Sequence, residues 1–361
     1  MCRIVREFRR QGGLRNLLRK AVLVYNTHGM KGIGFVIGRK VREILFSSGE
    51  RQLHELGPSA LDQSDYRPYY DNYMTQLTNS QVKSREFVQR RKDISAKAPT
   101  PVKLVAYYLP QYHPFPENDN WWGKGFTEWT NVTKAQPHFV GHYQPRLPAD
   151  LGFYDLRLPE VQVQQIEMAK QYGVHGFCYY YYWFNGKRLL DSPLRQMLEN
   201  KKIDFPFCVS WANENWTRGW DGLDEEILIK QEYFREDEVK FIMDIEPILK
   251  DDRYIKVDGK PLLIIYGIYV LPNPARAVRT WREYCRKSGL GEIYVAATKR
   301  IPGFDPRKYG CDAAIEFPPV AMPLTWDVPN HRFLFPNCAA KLYDYRALID
   351  RKSTRLNSSH T

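Results

Sequence analysis

A chain of 361 residues, 43% hydrophobic and 14% aromatic, has enough apolar material for one large domain plus an appendage, which excludes a disordered tail or a small disulfide-stapled scaffold. The net charge of +12 suggests nucleic acid, but residues 1–50 hold eleven Lys/Arg against three Asp/Glu and residues 51–100 eight against six, leaving only +2 for 101–361. The larger part of the chain has no electrostatic reason to seek phosphate backbones, so nucleic acid is excluded as a partner.

The first fifty residues alternate basic and apolar positions, broken by Gly12-Gly13, Gly29 and Gly32. Basic amphipathic helices of this kind suit peripheral contact with an anionic membrane surface, and equally suit packing on a neighbouring domain. Residues 51–100 are polar, close on Ala96-Lys-Ala-Pro-Thr-Pro101, and read as helix and linker. From Val102 the pattern changes to short apolar runs at 102–109, 176–183, 207–213, 262–267, 293–298 and 313–317. Between them lie segments with three- and four-residue apolar spacing, at 158–172, 192–200, 237–249 and 275–289. Near-continuous apolar strands alternating with helices predict a parallel sheet covered on both faces. The last residues, 351–361, continue neither a helix stripe nor a strand and resemble vector-derived read-through. The expected domains are therefore 1–50, 51–100, a barrel over 101–350, and a non-native tail.

Polar and aromatic groups recur just past the strand ends, which favours a barrel, whose sites gather residues from several strands, over a doubly wound sheet with a single switch point. Neither a G-x-G-x-x-G nor a P-loop follows any strand. Six visible strands, where closure needs eight, predict an incomplete (β/α)8 barrel that continues past about residue 350 in the natural gene. The six Cys (Cys2, Cys178, Cys208, Cys285, Cys311, Cys338) show no C-x-x-C spacing. They read as thiols in a reducing compartment, and with no signal peptide or spanning segment the expected location is cytoplasmic.

The richest stretch is 210–222, where three Trp, two Asn, one Glu, one Arg and one Asp follow an apolar strand. Indole faces suit the C–H faces of sugar rings, and amides and carboxylates suit their hydroxyls. Candidate sugar contacts are Tyr108, Gln111, His113, Trp122, Trp183, Trp211, Asn213, Asn215, Trp216 and Trp220. All five Trp also suit a core, but Trp216 and Trp220 sit beyond the strand in a Gly-containing loop and make the better platforms. Glu214 reads as a catalytic or hydroxyl-binding carboxylate, against the alternative of a structural pair with Arg218. Glu316 emerges from an apolar strand, where an unpaired charge is costly, so a catalytic role and a buried ion pair are both open. Glu128 and Asp221 read as turn or cap residues. Nothing has the spacing of a metal cluster; His138 and His142 lie in a Pro/Gly-rich loop.

Four ordered motifs carry a family resemblance: Leu104-Val-Ala-Tyr-Tyr-Leu-Pro-Gln-Tyr-His-Pro114, Trp121-Trp-Gly-Lys-Gly-Phe-Thr-Glu-Trp-Thr-Asn131, Gly176-Phe-Cys-Tyr-Tyr-Tyr-Tyr-Trp-Phe184 and Ser210-Trp-Ala-Asn-Glu-Asn-Trp216. Over about 102–350 the chain resembles the WbsX-type, glycoside hydrolase family 99-like proteins. The resemblance implies a (β/α)8 barrel, no metal or nucleotide cofactor, and action on glycosidic linkages of O-antigen or capsular polysaccharide, in the company of glycosyltransferase modules. It also implies two principal carboxylates in a Glu-Trp-x-Glu-Gly-like motif, and none follows Ile349. Phe126-Thr-Glu-Trp129 is similar to it only superficially. The other class open to the chain is a non-catalytic glycan-binding module that assists attached glycosyltransferases.

Overall fold

The computed structural model describes residues 70–71, 74–75, 87–91, 101–139, 142–219, 223–301, 303–317 and 342–345. The expected membrane-contacting segment 1–50, the tail 351–361, Trp220 and Asp221 lie outside them. The chain divides into two compact units, Met1–Lys83 and Ser84–Thr361. Within the second, Arg90 donates to Gln171 Oε1 at 2.9 Å and the Arg91 backbone N–H to the Tyr172 hydroxyl.

Strand β1 (Leu104–Tyr108) leads through two short helices, α1 (Pro116–Trp122) and α2 (Glu128–Lys134), and the longer α3 (Pro159–Gln171) into β2 (Val174–Phe184). A short return strand β3 (Lys187–Leu189) and α4 (Ser192–Glu199) precede β4 (Phe207–Trp211). The hairpin β5 (Trp216–Arg218) and β6 (Leu223–Ile229), then α5 (Asp237–Leu249), lead to β7 (Lys256–Val257) and β8 (Lys260–Ile265). Helix α6 (Pro274–Lys287), β9 (Tyr294–Lys299) and β10 (Ala313–Glu316) complete the set.

Proline opens α1, α3, α4 and α6, where its missing N–H has no helical partner to lose. The Asn273 side chain caps α6 by accepting from the Arg276 N–H. Gly176 is required where β2 passes its neighbour, because a Cβ there would stand 2.5 Å from the Pro206 carbonyl oxygen.

The main sheet runs β1-β2-β4-β8-β9-β10 with every pair on this path parallel. Its spatial order follows chain order throughout, so the sheet is singly wound, as a barrel is, and has no switch point. It also curls. In a flat sheet the first and sixth strands would lie roughly 24 Å apart at the usual ~4.8 Å spacing. Yet Tyr107 on β1 meets Phe317, just past β10, with ring centroids 5.5 Å apart. The described residues thus form six strands of a (β/α)8 barrel.

Period-two alternation gives each strand an inner and an outer face. The outer face carries Tyr181, Trp183 and Trp211 onto Phe241 of α5. Trp211 stacks on Phe241 at 4.0 Å, and Trp281 packs against both. Each of these buried side chains stabilises the fold by about 1.5–3 kcal/mol. No described helix is long and apolar enough to cross a membrane.

Candidate glycan-binding site

Because all strands on the main path point one way, the loops after β1, β2, β4, β8 and β9 gather at one end. Trp216 enters there on the β5–β6 hairpin. Its ring meets Phe115, Trp121, Tyr182 and Phe184 near right angles, with centroids 4.9–6.4 Å apart. This aromatic cluster fixes one wall of a cleft of about 220 Å³ lined by Gln111, Asn118, Trp122, Asn215, Trp216 and Thr217. A second cleft of about 410 Å³ is lined by Asn213, Glu214, Asn215, Gln231 and Tyr233. Asn215 belongs to both, with its Oδ1 accepting from the Gln231 N–H at 2.7 Å.

Glu214 pairs with Arg300, which follows β9, and not with Arg218, which pairs with Glu226. The Arg300 guanidinium also lies 4.3 Å from the Tyr266 ring centroid. Its side chain is 19% exposed against 39% for Glu214, so the carboxylate fronts the cleft and the cation backs it. Among the described residues, Glu214 is the single carboxylate lining either cleft. On the inner face Tyr180 stacks with Tyr107 and Tyr182 at 5.3 and 6.2 Å. Burial pushes the Tyr180 phenol up to about 12 and raises Tyr182 as well, so both keep their protons. The Tyr182 hydroxyl accepts from Gln111 Nε2 at 2.9 Å.

The structure thus brings together Gln111, Trp122, Asn215, Trp216 and Glu214, and moves other expected contacts elsewhere. Tyr108, Trp183 and Trp211 face the helices. The Tyr108 hydroxyl donates to Gln165 at 2.6 Å, and the Trp211 indole N–H donates to the Trp183 carbonyl at 3.1 Å. Strand parity is the reason, since Ser210 holds the inward position beside Trp211. Asn213 borders the second cleft, but its amide is already occupied. It donates to the Gly267 carbonyl and the Tyr233 hydroxyl at 3.0 and 3.2 Å and accepts from the Gly267 N–H at 2.7 Å, tying β4 to β8. His113 is sealed in the interior, where burial lowers its pKa. Glu316 sits opposite Lys299 in register and pairs with it at 2.8 Å on the outward-facing parity, so it is a cross-strand ion pair away from the clefts.

Sequence reasoning missed Asn118, Gln231, Tyr233 and Arg300. Only Arg300 carried a signal, its place just past a strand end.

The sheet is wound in chain order, and indole and amide groups line clefts at the C-terminal end of its strands. The profile of the family described as glycosyltransferase WbsX matches residues 104–360, and the chain belongs to that family. It is 46% identical over 248 residues to proteins described as uncharacterized protein WxcX in two strains of Xanthomonas campestris pv. campestris, B100 and ATCC 33913. Those alignments cover 69% of this chain and 36% of the relatives, so the chain spans about a third of their length. Among solved structures it is similar to a GH99 endo-alpha-mannosidase from Bacteroides thetaiotaomicron, at 14% identity over 58% of this chain and 60% of that chain, with a TM-score of 0.35. It is also similar to a glycoside hydrolase-like protein, at 15% identity over 63% of each chain and a TM-score of 0.37.

Proposed function

We propose that the chain is the glycan-holding part of a barrel that acts on glycosidic linkages in bacterial O-antigen or capsular polysaccharide assembly. The observation that carries this reading is the pair of adjoining clefts on either side of Asn215, one bounded by Trp122 and Trp216, the other by Glu214 and Gln231. Glu214, backed by Arg300, serves as an acceptor for sugar hydroxyls and as the candidate carboxylate of the chemistry. Glycosidic cleavage requires two carboxyl groups about 5–10 Å apart across the bond. That only one lines the clefts among the described residues favours a second reading, a binding module that presents glycan to glycosyltransferases.

Affinity electrophoresis of the 361-residue chain, in gels containing lipid-free surface polysaccharide from Xanthomonas campestris, tests the common core of both readings. Trp216→Ala is expected to weaken retardation by about tenfold, the loss of one stacking platform at ~1.4 kcal/mol. Equal retardation of the variant and the native chain would remove the platform, and with it this reading. Glu214-dependent release of reducing ends from the same polysaccharide separates the enzyme from the binding module.

A further inference from the structure

Asn118 is only 4% exposed, yet its side-chain amide makes no hydrogen bond among the described residues, and it lines the 220 Å³ cleft. Its amide oxygen and nitrogen are not fully sealed from solvent, and the residue lines the cleft. Amide atoms that open onto a concave site and bond no neighbouring side chain are available to a ligand there. The helix that carries Asn118 is held on both sides. Glu117 pairs with Lys187 at 2.5 Å, and Asp119 Oδ1 accepts from the Gly125 N–H at 2.8 Å.

The rest of the wall is complementary. Gln111 spends its Nε2 on Tyr182 and keeps Oε1 as an acceptor, whereas Asn215 spends its Oδ1 on Gln231 and keeps its NH₂ as a donor. Asn118 offers one of each, which suits two neighbouring hydroxyls that both donate and accept. Among the described residues, none of the side chains lining this cleft is charged. At about 220 Å³ it lies below the roughly 300–1,000 Å³ of drug-sized pockets, so it has room for one ring.

We propose that the cleft between Trp122 and Trp216 is a subsite for a single uncharged pyranose ring, with Asn118 reading an adjacent pair of its hydroxyls. The inference rests on the glycan-holding function above and narrows its ligand to a neutral sugar unit.

Saturation-transfer NMR on the 361-residue chain tests it, using methyl α-D-glucopyranoside, methyl α-D-mannopyranoside, methyl α-L-rhamnopyranoside and methyl β-D-glucuronide as probes. At least one neutral glycoside is expected to bind and the glucuronide to bind at least about tenfold more weakly. The near-isosteric Asn118→Asp, which exchanges the donor for a charge, is expected to weaken the bound glycoside by about tenfold or more at unchanged melting temperature. Leu228→Trp, which fills the cleft from another lining position, should do the same without touching Asn118 and covers the case in which Asn118→Asp does not fold. Binding that survives both variants, a preference for the glucuronide, or no neutral glycoside bound overturns the subsite. If polysaccharide retardation still depends on Trp216 in that event, the glycan-holding function stands and only this inference fails.

Discussion

Glu128 shows how a single residue departs from its local reading. It opens α2, and an acidic residue there suits the helix dipole and reads as a cap. Thr127 does the capping, however, accepting from the Trp129 N–H while Thr130 returns the bond to the Thr127 N–H, and Glu128 is left half-buried beside Tyr112 and Tyr182. No cation pairs with it among the described residues. Burial raises its carboxyl above the ordinary value of 4.5, with Asn131 opposing. The folded chain therefore holds the Glu128 proton more tightly than the unfolded chain. Between the ordinary value and the raised one, the unfolded state binds fewer protons, so stability falls as pH rises through that window. Glu128→Gln removes this loss. The melting temperature of the variant relative to the native chain is expected to rise from about pH 4 to about pH 7. A difference that stays flat across that range would mean that Glu128 titrates alike in both states.

At the scale of elements, the six apolar runs read from sequence coincide with the six strands of the main sheet, and the interior strands β2, β4, β8 and β9, largely buried on both faces, show the fewest polar interruptions. Facing was harder to read. In Tyr179-Tyr-Tyr-Tyr182 every residue is aromatic, so nothing in the composition says which rings enter the barrel and which meet the helices. Trp211 faces the helices because Ser210 takes the inward position of β4, and Asn213 spends its amide on Gly267 and Tyr233 at the rim of the second cleft. Hairpin β5–β6 was not legible either, since Trp216–Arg218 has the composition of a loop, and the seven-residue α1 is too short to show the periodicity that would place Asn118. Ion pairs that join elements are equally silent in sequence. Asp251, after α5, accepts from Arg253 and Lys201, while Arg253 Nη1 donates to the Asn200 and Ile203 carbonyls that follow α4. Hydrogen bonds from Arg253, ahead of the one from Lys201, hold the Asp251 carboxyl well below its ordinary 3.8. Its stabilisation is present above that value and is lost as pH falls through the lower folded one. Asp251→Asn leaves the Arg253 charge largely buried without its partner, at an expected cost of about 3 kcal/mol in urea unfolding at neutral pH. The gap should narrow below about pH 4. A variant as stable as the native chain at neutral pH would show that the backbone carbonyls alone satisfy Arg253.

For the whole molecule, the order of strands sets the gradient of stability. β4 and β8 lie inside the sheet with Phe207, Cys208, Val209, Leu263 and Ile265 inaccessible to solvent, and Val295 and Ala297 continue this layer on β9. β1 lies at one end of the sheet and exposes Leu104, Val105 and Tyr107; β10 lies at the other end with Glu316 on the surface. Opening an interior strand breaks two ladders and uncovers the aromatic layer under α5 and α6, whereas opening a terminal strand breaks one ladder and uncovers little apolar surface. Local opening free energies follow that difference. In native-state hydrogen exchange, amides of β4 and β8 are expected to be protected about a hundredfold more than those of β1 and β10, ~2.7 kcal/mol of opening free energy. Uniform protection across all six strands would mean that further polypeptide pairs with both ends of the sheet. The Trp216 hairpin is attached directly to β4 and Asn213 bolts that strand to Gly267, so the clefts are built on the most protected strands. Ligand binding should accordingly change exchange in β5 and β6 and leave β4 and β8 unchanged.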